Sequence, residues 1–288
     1  MSRLALGTVQ FGLNYGISNI HGKNSLSEVS DLISLASSYQ IKVLDTASGY
    51  GDSESILGAV NVTNFDVVSK LAPTGSGVDD IQEWVRIQFN ESLSRMKLQR
   101  MYGYMLHRPA DLLSAKGEDI YNALLELKNK GLVKKIGISI YSPDELDLIL
   151  SKYNFDLVQA PFNVVDRRIA ESGWMRRLKE MNIELHIRSV FLQGLLLMGR
   201  EQIPPYFNRW SHLFNLWDEF LKKRGVFAHE ACISFVKGYP DIDRIIVGVN
   251  NISQLKDVSL AFKSHQQHDF PDIGTNNEQL INPANWKN

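Results

Sequence analysis

The stretch Lys42-Val43-Leu44-Asp45-Thr46-Ala47-Ser48-Gly49-Tyr50-Gly51-Asp52-Ser53-Glu54 decides between two folds. It opens as a short apolar strand ending on Asp45 and passes through a glycine-bearing turn. An open doubly wound sheet would place a G-x-G-x-x-G turn after its first strand, so that backbone can approach a pyrophosphate. Here Glu54 stands where the third glycine of Gly49-Tyr50-Gly51 would fall. After the first candidate strand, Gly7 is followed by Thr8-Val9-Gln10-Phe11-Gly12, which does not match either.

Working outward, the same strand-then-helix unit recurs along the chain. Candidate strands lie at Leu4–Thr8, Lys42–Asp45, Asp66–Lys70, Tyr102–His107, Lys134–Ser139, Leu157–Ala160, Glu184–Ser189 and Arg244–Gly248, with a segment able to form a helix between successive strands. Val29, Leu32, Ile33 and Ala36 show the i, i+3, i+4, i+7 spacing of a buried helix face. Ala228, Ala231, Cys232, Phe235 and Val236 repeat it, which makes Cys232 a core residue. Ser142-Pro143-Asp144-Glu145 reads as a helix start. Strand–helix alternation implies a parallel sheet covered on both faces. Eight units predict an α/β fold of the (β/α)8 TIM barrel type. It is read as a single domain over residues 1–265, with a polar C-terminal tail over 266–288 that packs near the barrel mouth through Trp286. The long segments Gln10–Ser25 and Val190–Ser211 follow strands and therefore belong to the face where barrels carry their sites.

Composition narrows the classes further. The 288 residues are 44% hydrophobic and 22% charged, an ordinary globular mixture, and 31 basic against 32 acidic residues leave a net charge of −1. Such a chain has no overall electrostatic reason to bind nucleic acid or an anionic membrane. Its single cysteine cannot form an internal disulfide, no metal is expected, and cytoplasmic residence fits. No apolar run approaches the roughly 20 residues of a membrane span.

Four polar side chains then fall at successive strand ends: Asp45, Tyr50 five residues later, Lys70 and His107. Each has an ordinary structural explanation when taken singly. Together on one rim they suit proton donation to a developing alkoxide. A phenol titrates near pH 10, and a nearby ammonium lowers that value. Lys70 is expected to act on Tyr50 in this way, with Asp45 holding Lys70 charged and His107 orienting a substrate oxygen.

The stretch Asp45–Gly58 resembles the aldo-keto reductase signature, roughly D-x-A-x-x-Y-G-x-S-E-x-x-L-G, and Val68-Ser69-Lys70 and Tyr104-Met105-Leu106-His107 are similar to its lysine and histidine blocks. The resemblance runs from Leu4 to about Leu260. It implies a barrel that binds a nicotinamide cofactor and reduces an aldehyde or ketone, with Tyr50 as general acid, Asp45 and Lys70 as its tuning pair and His107 as orienter. It also implies cofactor contacts at Gly7 and Thr8, at Asp45, and at Ser139 and Gln159 for the carboxamide. Ile140 stands where the family has Asn, and Arg188 where many members stack a Tyr on the nicotinamide. Ser189, Phe191, Gln193 and Gly194 are expected along the pyrophosphate, and Val247, Gly248, Val249, Gln254 and Asp257 toward the adenosine. The family as a whole favours NADP(H), with Lys256 near the 2′-phosphate, and NAD(H) is the alternative. The run Arg188–Leu195 is similar to a subgroup associated with polysaccharide and nucleotide-sugar loci, which implies a sugar-related carbonyl substrate. A small molecule is the expected partner, and a monomer is slightly favoured. Two other readings stay open: a cofactor-holding regulatory protein with little turnover, and an aldolase using Lys70 as a Schiff base.

Overall fold

In the computed structural model, residues 2–75, 77–264, 266 and 268–286 are described. Strands β1 (Leu4–Gly7), β2 (Val43–Asp45), β3 (Asp66–Leu71), β4 (Met101–Leu106), β5 (Val133–Ser139), β6 (Leu157–Pro161), β7 (Glu184–Arg188) and β8 (Arg244–Gly248) close into one parallel barrel in sequence order. Each begins and ends within about one residue of its sequence-based expectation, because a strand buried on both faces reads as an uninterrupted apolar run.

Side chains alternate along a strand, so residues two apart share a face. This sets two interior layers. Ala5, Val43, Val68, Met105, Leu157 and Ile246 form a buried apolar cluster inside the barrel. Two residues further along the same strands stand Gly7, Asp45, Lys70, His107, Gln159 and Gly248. The strand register therefore lifts a ring of polar and small residues to the C-terminal rim, above an apolar floor. Gly7 pairs with Asp45 on one side and with Gly248 on the other, which closes this ring.

Helices cover the outside. After β1 come a single turn, α1 (Val9–Gly12), and the longer α2 (Leu26–Ser38). Helix α2 starts with Ser25 and Glu28 capping each other's backbone amides, a reciprocal arrangement worth about 1 kcal/mol. Its stripe Val29, Leu32, Ile33 and Ala36 is buried, as the periodicity predicts. Helices α3 (Ser53–Val60), α4 (Ile81–Met96), α5 (Gly117–Asn129) and α6 (Asp144–Leu150) follow β2 to β5 in turn. Helices α7 (Arg168–Glu171) and α8 (Trp174–Glu180) follow β6. Helices α9 (Ser211–Arg224) and α10 (Ala228–Lys237) follow β7, and α11 (Ile252–Lys263) follows β8. Buried Glu54 of α3 accepts from Ser69 of β3 (2.6 Å) and from Arg95 of α4 (2.8 Å), tying that strand to two helices. Cys232 packs in the core, and burial pushes its thiol far above the ordinary range.

The segment expected as a long loop at Val190–Ser211 instead contains three short 3-10 turns, at Leu192–Leu197, Arg200–Gln202 and Pro205–Trp210. The tail packs onto it: Trp286 meets Phe207 edge-on at 4.9 Å, and Leu280 and Ile281 of the final turn α12 (Glu278–Ile281) are buried. Among the described residues, no helix is long and apolar enough to cross a membrane.

Candidate active site

The turn after β2 is fixed by two glycines. A side chain at Gly12 would sit 1.8 Å from the Tyr50 carbonyl oxygen, and one at Gly51, whose φ is +57°, would sit 2.5 Å from that of Gly12. Only glycine allows these backbones to touch, and the contact places the Tyr50 ring over the rim. There it meets the His107 ring edge-on at 5.8 Å.

Beneath it lies an ion pair. The Lys70 side chain is almost wholly buried, and its Nζ donates to Asp45 Oδ2 at 2.7 Å, to the Thr46 carbonyl at 2.9 Å and to Tyr50 Oη at 3.4 Å. The other carboxylate oxygen, Asp45 Oδ1, accepts from Gln159 Nε2 at 2.7 Å, and Gln159 Oε1 in turn accepts from Ser139 Oγ at 3.3 Å. Every polar atom of the pair thus has a partner, which a buried pair requires. Because the ammonium donates to the phenol oxygen, the phenolic hydrogen is left to point elsewhere.

Electrostatics differ from the sequence-based expectation at Tyr50. Burial, then Asp45, push its phenol well above 10, and Arg188 opposes them. The expected lowering by Lys70 does not prevail over burial and the Asp45 carboxylate. Tyr50 therefore keeps its proton at neutral pH. Burial pulls the Lys70 ammonium down, against Asp45. Burial, with Lys70 and Arg188, lowers His107 to about 4, so its imidazole is neutral near pH 7.

A cavity of about 460 Å³ opens from this group. Tyr50, His107, Asp45, Gly7 and Thr8 line it, with Ser139 and Arg188. Ser189, Phe191, Gln193 and Gly194 also border it, as do Val247, Gly248, Val249, Gln254 and Asp257. Two residues expected at the cavity lie beneath it: Lys70, and Gln159, whose amide nitrogen is committed to Asp45. The Thr8 hydroxyl is likewise spent, on the Asp45 carbonyl and Ser53. Arg188 lies over the Tyr141 ring, its guanidinium carbon 4.4 Å from the ring centre. Lys256 is exposed on α11 and is absent from the cavity wall, whereas Asp257 is on it.

Several wall residues escaped the sequence reading: Gln10, Tyr15, Asn19, Tyr141, His229 and Asn250. The length of the segment after β1 was the available signal for the first three. That segment is latched to the turn after β7 by Ile17 N donating to the Gln193 carbonyl at 3.1 Å. On the latch, Gln193 and Gly194 have φ of 53° and 90°, and a side chain at Gly194 would strike Ser18 Oγ. Gln10 Oε1 and Asn250 Oδ1 are buried with no hydrogen-bond partner. A side chain at Gly248 would run into the Gln10 amide at 2.6 Å, so that wall is already closely fitted.

Residues 3–273 match the profile of the Aldo/keto reductase family. The chain is 24% identical over 278 residues to an uncharacterized oxidoreductase, YqkF, of Bacillus subtilis (strain 168), covering 89% of this chain and 86% of the relative. Among solved structures it superposes on the holo form of an aldo-keto reductase from Bacillus halodurans with a TM-score of 0.75 at 20% identity, covering 92% of this chain and 88% of the other. A glycerol dehydrogenase from Gluconobacter oxydans gives 0.71 at 21% identity, covering 93% and 88%.

Proposed function

Because the chain belongs to the aldo/keto reductase family, whose members carry out oxidoreduction of carbonyls with nicotinamide cofactors, we propose that it reduces an aldehyde or ketone to an alcohol with Tyr50 as proton donor. The observation that carries this is the Lys70 ammonium donating to Tyr50 Oη at 3.4 Å with Asp45 behind it. A phenol held at its oxygen presents its hydrogen to the cavity. As negative charge grows on the substrate oxygen, Tyr50 gives up that proton, and the adjacent ammonium stabilises the phenolate left behind. Neutral His107 donates a hydrogen bond to the same oxygen and holds the carbonyl in line. A nicotinamide held in the cavity would supply the hydride.

The residues present fit such a cofactor. Ser139 Oγ stands at the chemical end for a carboxamide, and the unpartnered Gln10 and Asn250 oxygens along the wall call for a ligand that brings donors, as ribose hydroxyls do. Among the described residues, the wall includes Asp257 and, apart from Arg188, no lysine or arginine. A carboxylate accepts from a ribose hydroxyl and repels a 2′-phosphate, so we assign NAD(H) as the preferred cofactor, in place of the NADP(H) that the family as a whole favours. Hydroxyl and amide groups of Tyr15, Asn19 and Gln193 on the wall suit a hydroxylated, sugar-like carbonyl.

The Schiff-base alternative needs a free, accessible lysine. Lys70 has no exposed surface and is bonded to Asp45. The complete Asp45–Lys70–Tyr50–His107 group argues against a purely regulatory role. The test is Tyr50→Phe. Carbonyl reduction is expected to fall by at least 10²-fold, in line with loss of a general acid, while cofactor titration by fluorescence stays unchanged. Undiminished turnover refutes the donor assignment.

A further inference from the structure

We propose that Arg188 makes this chain discriminate between the two redox states of its nicotinamide, holding the neutral reduced ring more tightly than the cationic oxidised one. This rests on the cofactor reading above and goes beyond it.

Arg188 ends β7, where residues 184, 186 and 188 share the inward face. Its guanidinium is fixed in place. One nitrogen donates to the Ile140 carbonyl at 3.0 Å, another to Ser189 Oγ at 3.3 Å, and Tyr141 supports its face at 4.4 Å. Both acceptors are neutral. Among the described residues no carboxylate lies within ion-pair distance of it, whereas Arg167, Arg168, Arg177, Arg200 and Arg224 each have one.

The neighbouring groups do not pair with it. Lys70 and Asp45 are bonded to one another at 2.7 Å and together carry no net charge, and Tyr50 and His107 are uncharged near neutrality. This end of the cavity therefore carries one net positive charge, on Arg188. The charge reaches these groups: after burial and the Lys70–Asp45 pair, Arg188 opposes protonation of both His107 and Lys70 and eases ionisation of Tyr50. A carbonyl in contact with Tyr50 must meet the hydride donor at roughly 3–3.5 Å, so the ring lies within the same field. The two cofactor forms differ there by a single positive charge on the ring. A fixed guanidinium therefore disfavours the oxidised form and leaves the reduced form nearly untouched. The bound couple becomes a stronger oxidant than the free one, and the oxidised product leaves readily.

The test is equilibrium binding without substrate. NADH and NAD+ are titrated into the wild type, Arg188→Gln and Arg188→Lys by calorimetry, with circular dichroism confirming the fold of each. The wild type should bind NADH more tightly. Arg188→Gln should bring the NAD+ to NADH ratio of dissociation constants down by about tenfold, equivalent to about 30 mV for a two-electron couple. Arg188→Lys should preserve most of the wild-type ratio. An unchanged ratio in Arg188→Gln overturns the inference while leaving the reductase reading intact. Equal collapse in the lysine variant also overturns it, since planarity and not charge would then be responsible. Failure of the wild type to bind either form overturns the cofactor reading and this inference together.

Discussion

Replacing Asp45 by Asn keeps the shape of the side chain and removes its charge. The amide oxygen still accepts from Gln159 Nε2, so the loss falls on the other side, where Lys70 Nζ sits 2.7 Å from Oδ2. The ammonium is then buried with the Thr46 carbonyl and the Tyr50 oxygen as its remaining acceptors. Removing one partner of a buried ion pair costs roughly 3–5 kcal/mol. At the 2–4 °C per kcal/mol typical of long chains, Tm should fall by about 10 °C. The deficit should depend on pH. The stranded lysine has a folded pKa below its unfolded value of about 10.4, so between the two the unfolded chain holds more protons and stability rises with pH. The loss should thus be largest near neutrality and shrink toward pH 10. The double variant Asp45→Asn/Lys70→Met removes the stranded charge and should be more stable than Asp45→Asn alone. Thermal unfolding of all four forms at pH 7 and pH 10 makes the measurement. A loss under about 1 kcal/mol for Asp45→Asn, or strict additivity of the two substitutions, refutes the reasoning.

Acidification should act through His107. Its folded value of about 4 lies below the ordinary 6.5, so the unfolded chain takes up this proton first, and stability falls as pH drops from about 6.5 to 4, by no more than roughly 3 kcal/mol. The variant His107→Gln should lack that part of the urea-unfolding pH profile. Asp257→Asn should improve NADPH affinity relative to NADH severalfold, read by fluorescence titration; an unchanged ratio removes Asp257 from the 2′ position. Gly12→Ala should destabilise the fold by about 2 kcal/mol or more and displace the Tyr50 turn, since the added methyl meets backbone atoms that have no room to yield. Wild-type stability with full activity in that variant counters the close-contact account.

The barrel and its rim group were legible in the sequence because both depend on local pattern. Strand ends follow from apolar runs, and the side that faces inward follows from counting by twos. Partner choice was less accessible. Gln159 was expected against a ligand, and its amide goes instead to Asp45, 114 positions away, a pairing that exists only once the barrel closes. Arg188 was read only as standing where many members stack a Tyr on the nicotinamide, and its observed aromatic partner is Tyr141 from a different strand end. Lys256 and Asp257 show the cost of a single residue on a helix: one step is a rotation of roughly 100°, and of these two exposed side chains only Asp257 borders the cleft. The Tyr50 titration was misread for a related reason, since the burial that outweighs the nearby ammonium exists only once the barrel closes.

The backbone bond between Ile17 and Gln193 joins two segments that both border the cleft. A ligand that fills the cleft lies against both. Parting them releases one hydrogen bond and two residues held in left-handed conformations, a local opening of the kind that runs on microsecond to second timescales. Substitutions at Ser18 or Gly194, remote from Tyr50, are then expected to change how long a ligand stays in the cleft.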